Sequence, residues 1–424
     1  MSVKADVEEI LGRIDIGALL SRYLELRRED EGYRGKCPFH VDEAASFHVL
    51  PRARVFRCTS CLVEGNALVF LQRYLGLSFD DAVRQLAGEA GVSLQAYDPF
   101  ARERKQCQEA CDLAAEHYRA CLADPGQGKR ARAYLEERGV QPERIQAFGL
   151  GWAPSDGDSL TRVLERVGLR EAGVKVGLLS RTGQAHADAY RGRIMLPIHS
   201  REGRTSAFMG RLVEGEGVKY LMPEVTTLTY DEGKALYGLE LARAKIGRSG
   251  CAVLVEGSFD CIWMHQAGFG NTVALYPNTL TPMRMKLLEE AGARELIFLL
   301  DGDVAGRRAV EWNSAAVFTQ GIATRVALLP EGQDPDTHAM REGTEGVRRL
   351  LDSARPLMEH VLESLQGAVR AASLEDPKVH KRVYWIVRNV PRGPARTTFL
   401  ERLSASIGLT SDELESRLFT RARG

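Results

Sequence analysis

Two sets of residues in this sequence have the types and spacing to do chemistry. The first is acidic: Glu256, the pair Asp301 and Asp303 in DGD, and the pair Asp334 and Asp336 in QDPD. Hard divalent cations such as Mg²⁺ or Mn²⁺ take oxygen ligands, usually one or two carboxylates with water and phosphate around them. Ordinary acidic turns are the alternative reading of each pair taken alone. The second set is Cys37-Pro38-Phe39-His40 followed, after an insert, by Cys58-Thr59-Ser60-Cys61. Two short knuckles, each placing two soft ligands on one side of an ion, are what a tetrahedral structural Zn²⁺ requires. His48 lies in a strand-like stretch outside either knuckle and is not counted as a ligand.

Both sets need elements to position them. Glu256 follows the apolar run 251–255, Asp301 and Asp303 follow ELIFLL at 295–300, and the last pair follows the run 325–329. These runs have the length and bulk of strands covered on both faces. Helical spacing resumes after Gly257 and Gly306, so each unit reads as strand, tight turn, helix. That order puts the carboxylates at the carboxyl ends of parallel strands, where open α/β sheets bind ligands. On extended backbone Asp301 and Asp303 would point to one face and reach one ion. Around the zinc knuckles, 46–49 and 55–57 alternate as strands do, with Arg and Lys interleaved with Tyr33, Phe47 and Phe56. That mixture suits phosphate contacts and base stacking on single-stranded DNA, or else a solvated face over a small core.

Helical spacing covers 7–25, 66–74, 79–90 and 100–122, with 95–99 as a linker. Cys107 and Cys111 share a helix face there, but no pair has knuckle spacing and buried thiols are the simpler reading. From Arg191 to Lys219 the chain is β-rich and basic, with strands at 194–198 and 205–212. Arg191, Arg193, Arg211 and Lys219 sit at strand ends, where they converge on one groove or decorate an edge. Helices follow at 355–369, 378–389, 397–407 and 411–419.

At 424 residues the chain holds two to four domains. Its 44% hydrophobic and 27% charged residues are those of a globular protein. There is no long apolar run and no signal pattern, so the expected compartment is the cytoplasm and the eight cysteines read as metal ligands or core thiols. Zero net charge argues only weakly against indiscriminate nucleic-acid binding and leaves room for a local basic groove.

The strings KCPFH, ASFHV and FRCTSCLVEGNALVFL resemble the zinc ribbon that opens DnaG-type bacterial DNA primases. VEGSFD, DGDVAGRRA and LPEGQDPDT resemble the TOPRIM domain of the same family, and the stretches 131–154 and 191–221 resemble its core and basic ridge. The resemblance runs over nearly the whole chain in the family's motif order. It implies a multidomain α+β and α/β fold: a zinc ribbon (1–99), a mixed α/β subdomain with the basic ridge (100–249), a Rossmann-like TOPRIM sheet (250–340) and a helical subdomain (341–424). It implies template-directed joining of ribonucleoside triphosphates into a short RNA primer on single-stranded DNA. Metal would be held by Asp301, Asp303, Asp334 and Asp336, with Glu256 as ligand or general base and Asp260 lining the site. Arg191, Arg193, Arg211, Lys219 and Lys234 would meet template or nucleotide phosphates. Two positions depart from the pattern: Glu232 replaces a family lysine beside GKALYG, and Pro277-Asn278 replaces a Gly-Thr pair. Full-length members carry a further module that binds the replicative helicase, and no residues remain for it after the helical tail. The rival readings are a TOPRIM nuclease using the same carboxylates, or a single-stranded nucleic-acid-binding protein that has lost catalysis.

Overall fold

The structure is a computed structural model that describes residues 3–420 apart from Asp30, Val41, Glu43, 93–99, Gln184, 224–225 and 277–278. The expected linker and the Pro277-Asn278 pair therefore lie outside the described residues. The chain divides into two compact units, Met1–Cys107 with Val225–Gly233, and Gln108–Glu224 with Lys234–Gly424.

The first unit opens with α1 (Val3–Arg13) and α2 (Ile16–Ser21), the second started by Asp15, whose Oδ1 accepts from the Gly17 and Ala18 amides. A five-stranded antiparallel meander follows in chain order: β1 (Leu26–Glu29), β2 (Gly32–Gly35), β3 (Phe47–Leu50), β4 (Val55–Cys58) and β5 (Glu64–Gly65). Then come α3 (Ala67–Leu75) and α4 (Phe79–Glu89), capped by the side chains of Asn66 and Ser78. Period-2 alternation puts Phe47, Val49 and Phe56 on the face that packs against these helices. Phe47 and Phe56 stack on each other with centroids 5.1 Å apart and are fully buried. They are core residues, which corrects the expectation that they stack on bases.

The division between the units falls within α5 (Ala101–Ala123), after Cys107, and the second unit continues with α6 (Lys129–Glu137) and α7 (Pro142–Ala147), then β6 (Gly151–Ala153), α8 (Ser159–Arg166) and α9 (Arg170–Lys175). Cys107, Cys111 and Cys121 of α5 are buried thiols. A hairpin, β7 (Leu179–Thr182) with β8 (Ala185–Asp188), leads to β9 (Arg193–His199), β10 (Thr205–Leu212) and β11 (Tyr220–Leu221). These form a sheet in the order β11-β10-β9-β6, and the antiparallel pair expected for β9 and β10 is present.

After α10 (Leu239–Ser249) comes the sheet that carries the acidic residues. Its strands are β12 (Cys251–Val255), β13 (Thr272–Ala274), β14 (Glu295–Phe298), β15 (Ala323–Val326) and β16 (Arg355–Pro356), in the order β13-β12-β14-β15-β16. The first four are parallel, and the short edge strand β16 runs the other way. The connecting helices are α11 (Ser258–Gln266), α12 (Pro282–Glu290), α13 (Val304–Gln320) and α14 (Pro335–Asp352). From β12 the chain moves outward to β13, then crosses back to place β14 on the other side of β12. The strand order reverses between β12 and β14, and a crevice opens there at the carboxyl ends. Because 355–356 pair with β15, the helix expected from 355 begins at Leu357.

Four helices, α15 (Leu357–Ala372), α16 (Pro377–Asn389), α17 (Pro394–Ser406) and α18 (Ser411–Thr420), complete the unit. One apolar cluster runs from the sheet into this bundle, through Leu254, Phe298, Val310, Val361, Val383 and Leu403. Within it, Glu311 of α13 is 6% exposed and accepts from Arg382 of α16, whose Nη2 also donates to Ser364 of α15 at 2.8 Å. This network ties to the bundle the helix that begins at the acidic site. Removing one partner of a buried pair leaves a charge uncompensated, a cost reduced here because Arg382 is partly open to water. Glu311→Gln should therefore lower stability by about 2 kcal/mol, read as an earlier denaturant midpoint at unchanged slope. An unmoved midpoint would show that the pair contributes nothing net.

Candidate active site and metal centre

The acidic residues gather at the β12/β14 switch point, but not on the strands themselves. β14 ends at Phe298 and β15 at Val326, so Asp301, Asp303, Asp334 and Asp336 stand on the connections beyond them. The expectation that Asp301 and Asp303 share one strand face does not hold. The chain has already turned towards α13, and Asp303 is that helix's N-cap, its Oδ1 accepting from the Gly306 amide at 2.8 Å. Asp334 does the same for α14, accepting from the Thr337 amide at 3.0 Å. The loops pack too closely for side chains. A Cβ on Gly302 would lie 2.2 Å from the Pro330 carbonyl oxygen, and one on Gly306 would lie 2.2 Å from that of Asp301.

Each remaining carboxylate is held by backbone donors. Glu256, next after β12, accepts from the Asp301 amide through Oε1 at 3.0 Å, joining the two strands of the switch point. Asp260, in the first turn of α11, accepts from the Gly257 amide at 2.8 Å and the Asp336 amide at 3.2 Å. Asp336 accepts from the Thr337 hydroxyl at 3.2 Å and from Arg138 Nη1 at 3.1 Å. Asp260, Asp334 and Asp336 bring one carboxylate oxygen each within 4.8 Å of one another. Asp301 Oδ1 is buried without a hydrogen-bond partner among the described residues.

Crowding and burial raise the proton affinity of Asp260, Asp301 and Asp336. Burial, then repulsion from Glu256 and the other aspartates, pushes Asp301 up to about 7. Burial and the neighbouring Asp334 push Asp336 up to about 6 against the opposing pull of Arg138. Asp260 is raised well above the carboxylate range by burial and by Asp336 and Asp301. Burial works upward on Asp334 too, but hydrogen bonds from Asp336 and Thr337 outweigh it and its carboxyl sits low. The two carboxyls of the Asp334–Asp336 pair are thus pushed in opposite directions by the same contact.

Sequence reasoning missed Arg138. It follows α6, lies over the rings of Tyr134 (5.8 Å) and Phe259 (5.2 Å), and is the guanidinium paired with Asp336. Its signal was the Tyr-x-x-x-Arg spacing at 134 and 138, which puts ring and cation on one helix face. Tyr134 also links the acidic site to the basic strands, because its hydroxyl accepts from Arg211 Nε at 2.9 Å. Arg211 stacks on the Tyr220 ring at 4.9 Å, and its Nη1 is buried with no acceptor among the described residues. Of the other expected cations, Arg191 and Lys219 are exposed. Arg193 is 6% exposed and donates from Nη1 to the Gly210 and Val218 carbonyls, so it braces the strands. Lys234 is half-buried and closes the short 3-10 turn Glu232–Lys234.

In the first unit Cys37, His40, Cys58 and Cys61 bring their ligand atoms within 4.8 Å of one another. The Cys37 and Cys61 sulfurs are 3.8 Å apart, and His40 Nδ1 lies 3.9 Å from Cys58 Sγ. His48 lies outside the cluster, mid-strand opposite Arg57. The Ser60 and Cys61 amides point at Cys58 Sγ at 3.4 Å, and the thiol falls to about 7 despite burial, which works upward. Burial pushes Cys37 up to about 12. A cation among four soft donors is what such a pocket needs, so the residues fit zinc. Asp42, also missed from sequence, accepts from the Cys37 and Ser46 amides and sets the first knuckle from behind.

Comparison with known proteins bears on both sites. A CHC2 zinc finger model matches residues 2–102, the N-terminal domain of the DNA primase catalytic core matches 117–243, and a Toprim-like model matches 253–339. The chain is 44% identical to the DNA primase of Myxococcus xanthus over 417 residues, 97% of this chain and 69% of that one. With the DNA primase of Aquifex aeolicus it shares 33% over 364 residues, 85% of this chain and 72% of the relative. The crystal structure of the zinc-binding and RNA polymerase domains of Aquifex aeolicus primase superposes with a TM-score of 0.62 at 30% identity, covering 96% of this chain and 98% of that one. A DnaG primase catalytic domain bound to single-stranded DNA gives 0.62 at 30%, over 74% and 99%. These relatives are primases, and the nuclease and binding-only readings draw no support from them. With a zinc ribbon, a primase core and a Toprim-like sheet in the family's order, this chain belongs to the DnaG-type DNA primases.

Proposed function

We propose that the crevice at the β12/β14 switch point is where this primase joins ribonucleoside triphosphates on a single-stranded DNA template. The observation that carries the assignment is the buried, donor-less Asp301 Oδ1 in a ring of carboxylates at the place where an open α/β sheet binds ligands. An all-oxygen donor set of this charge fits Mg²⁺ or Mn²⁺, with Asp301, Asp303, Asp334 and Asp336 as ligands. When bound, the cation offsets phosphate charge and lowers the pKa of the attacking hydroxyl. Glu256 fixes the Asp301 loop through its amide, and Asp260 fixes the start of α14. Arg138 has further N–H groups to offer a phosphate beside Asp336, and Arg211 has its unmatched Nη1. Arg191 and Lys219 meet the template backbone from the exposed strand ends, while Arg193 braces the ridge. Residues 250–340 are the catalytic domain in this reading. The ribbon at the N-terminus holds one structural Zn²⁺ through Cys37, His40, Cys58 and Cys61.

Asp301→Asn should abolish primer synthesis on single-stranded template while the chain stays folded. A parent rate in that variant would remove Asp301 from the reaction. The pH dependence has a definite sign. The folded-state pKa of Asp301, about 7, lies above the unfolded carboxylate value, so without metal its stability contribution is present at low pH and fades as pH rises through about 7. Metal-free protein should therefore melt earlier as pH rises from about 5 to 8, Asp301→Asn should flatten that slope, and Mg²⁺ should stabilise the parent more at the higher pH. Identical melting profiles for parent and variant would contradict the shift.

For the ribbon, metal analysis should find about one zinc per chain, and a Cys37→Ser, Cys58→Ser double variant should lose it. Full retention of zinc in that variant would refute the ligand set.

A further inference from the structure

Beyond the catalytic crevice, α13 and α16 present an aromatic and cationic surface that the metal chemistry does not use. The two helices run side by side in the same direction: Glu311 meets Arg382, Trp312 meets Trp385, and Thr319 lines one cavity with Asn389. The two indoles lie nearly parallel, with centroids 5.2 Å apart and planes 13° from coplanar. Trp312 is 47% exposed, a large ring left open to water. Arg308 lies one turn before Trp312 on its helix face, and Lys381 and Arg388 lie one turn before and after Trp385. Arg388 also stands over the Tyr384 ring at 5.6 Å and the Trp385 ring at 5.9 Å.

The charge here is of one sign. Glu311 is the only acidic residue in α13 and is buried against Arg382, and α16 contains none. Arg308, Lys381, Arg388 and Arg392 are exposed and form no ion pair among the described residues. Past the indoles the surface continues into a cavity of about 360 Å³ lined by Arg388, Arg392 and Arg396, the last of which is paired with Glu415. Exposed rings interleaved with unpaired cations are the pattern that binds single strands, since every base has a face to stack and every linkage a charge. A protein partner would also suit tryptophan and arginine, but it would have to be strongly acidic and would leave the parallel ring stack unexplained.

The location favours the same ligand. α13 begins at Asp303 in the acidic crevice, and nine residues of helix carry Trp312 about 13 Å along its axis. We infer that the Trp312–Trp385 platform, with Arg308, Lys381, Arg388 and Arg392, is a second contact for the single-stranded DNA template, holding bases that lie beyond the crevice. The choice of the template strand rests on the polymerase reading above. The binding surface itself does not.

The test is equilibrium binding of the full chain to a labelled oligodeoxythymidylate, with no nucleotide or divalent cation added, so that it stands whatever becomes of the metal assignment. Trp312→Ala should weaken binding about 5- to 100-fold, and Trp312→Phe should recover most of it. A Lys381→Gln, Arg388→Gln double variant, altered only at exposed positions, should reduce the salt slope by about 1.4. Parent affinity in Trp312→Ala together with a parent salt slope in the double variant overturns the platform. Tighter binding of the matching oligoribonucleotide, lost in the same variants, overturns the template assignment in favour of the primer strand. Asp301→Asn keeps oligonucleotide binding while losing primer synthesis if both readings hold, which separates a failure of one from a failure of the other.

Discussion

Mutual repulsion among carboxylates in a partly dry crevice is the constraint around which this protein is built. Glu256, Asp260, Asp301, Asp303, Asp334 and Asp336 would drive one another apart on a free chain. The fold holds them together mainly with backbone amides: Asp301 to Glu256, Gly257 and Asp336 to Asp260, Gly306 to Asp303, Thr337 to Asp334. Those amides come largely from the first turns of α11, α13 and α14, whose N-termini all face the crevice. The positive ends of three helix dipoles oppose the negative charge, and Asp260, Asp303 and Asp334 in turn cap helices that would otherwise begin with unmatched donors. Site and scaffold thus share the same hydrogen bonds. What they leave unsatisfied is Asp301 Oδ1, and the upward shifts of Asp301 and Asp336 have the direction that incomplete compensation of the negative charge produces.

The basic part of the second unit is wired into this arrangement rather than merely near it. Tyr134 and Arg138 sit one turn apart at the end of α6. The phenol accepts from Arg211 on β10, and the guanidinium pairs with Asp336 at the start of α14. A cation that would grip phosphate and an acid that would grip metal are therefore positioned through one short helix. Arg193 shows the contrasting case: in sequence it looks like its neighbours, yet its guanidinium serves the hairpin's own carbonyls. The zinc ribbon applies the same economy on a smaller scale. Its meander has few residues to bury, so a four-ligand crosslink and the Phe47, Phe56 and Phe70 cluster replace a larger core.

The sequence by itself determined the elements and the ligand types. The runs at 251–255 and 295–300 have the length and bulk of buried strands and hold β12 and β14, the knuckles at 37–40 and 58–61 carried their chemistry in their spacing, and the strands at 194–198 and 205–212 and the terminal helices lie where periodicity put them, within a residue or three. These are local properties, fixed by alternation, capping and ligand softness within a few residues. Tertiary structure decided which residues meet. No local pattern says that strand order reverses between β12 and β14, and that reversal alone brings Glu256 to the Asp301 amide 45 residues away. Nor could spacing reveal that Asp303 and Asp334 are helix caps, that Arg138 pairs across 198 residues with Asp336, or that Phe47 and Phe56 face inward. Side-chain periodicity gives two faces to every strand, and only the packing of distant elements chooses which face is dry.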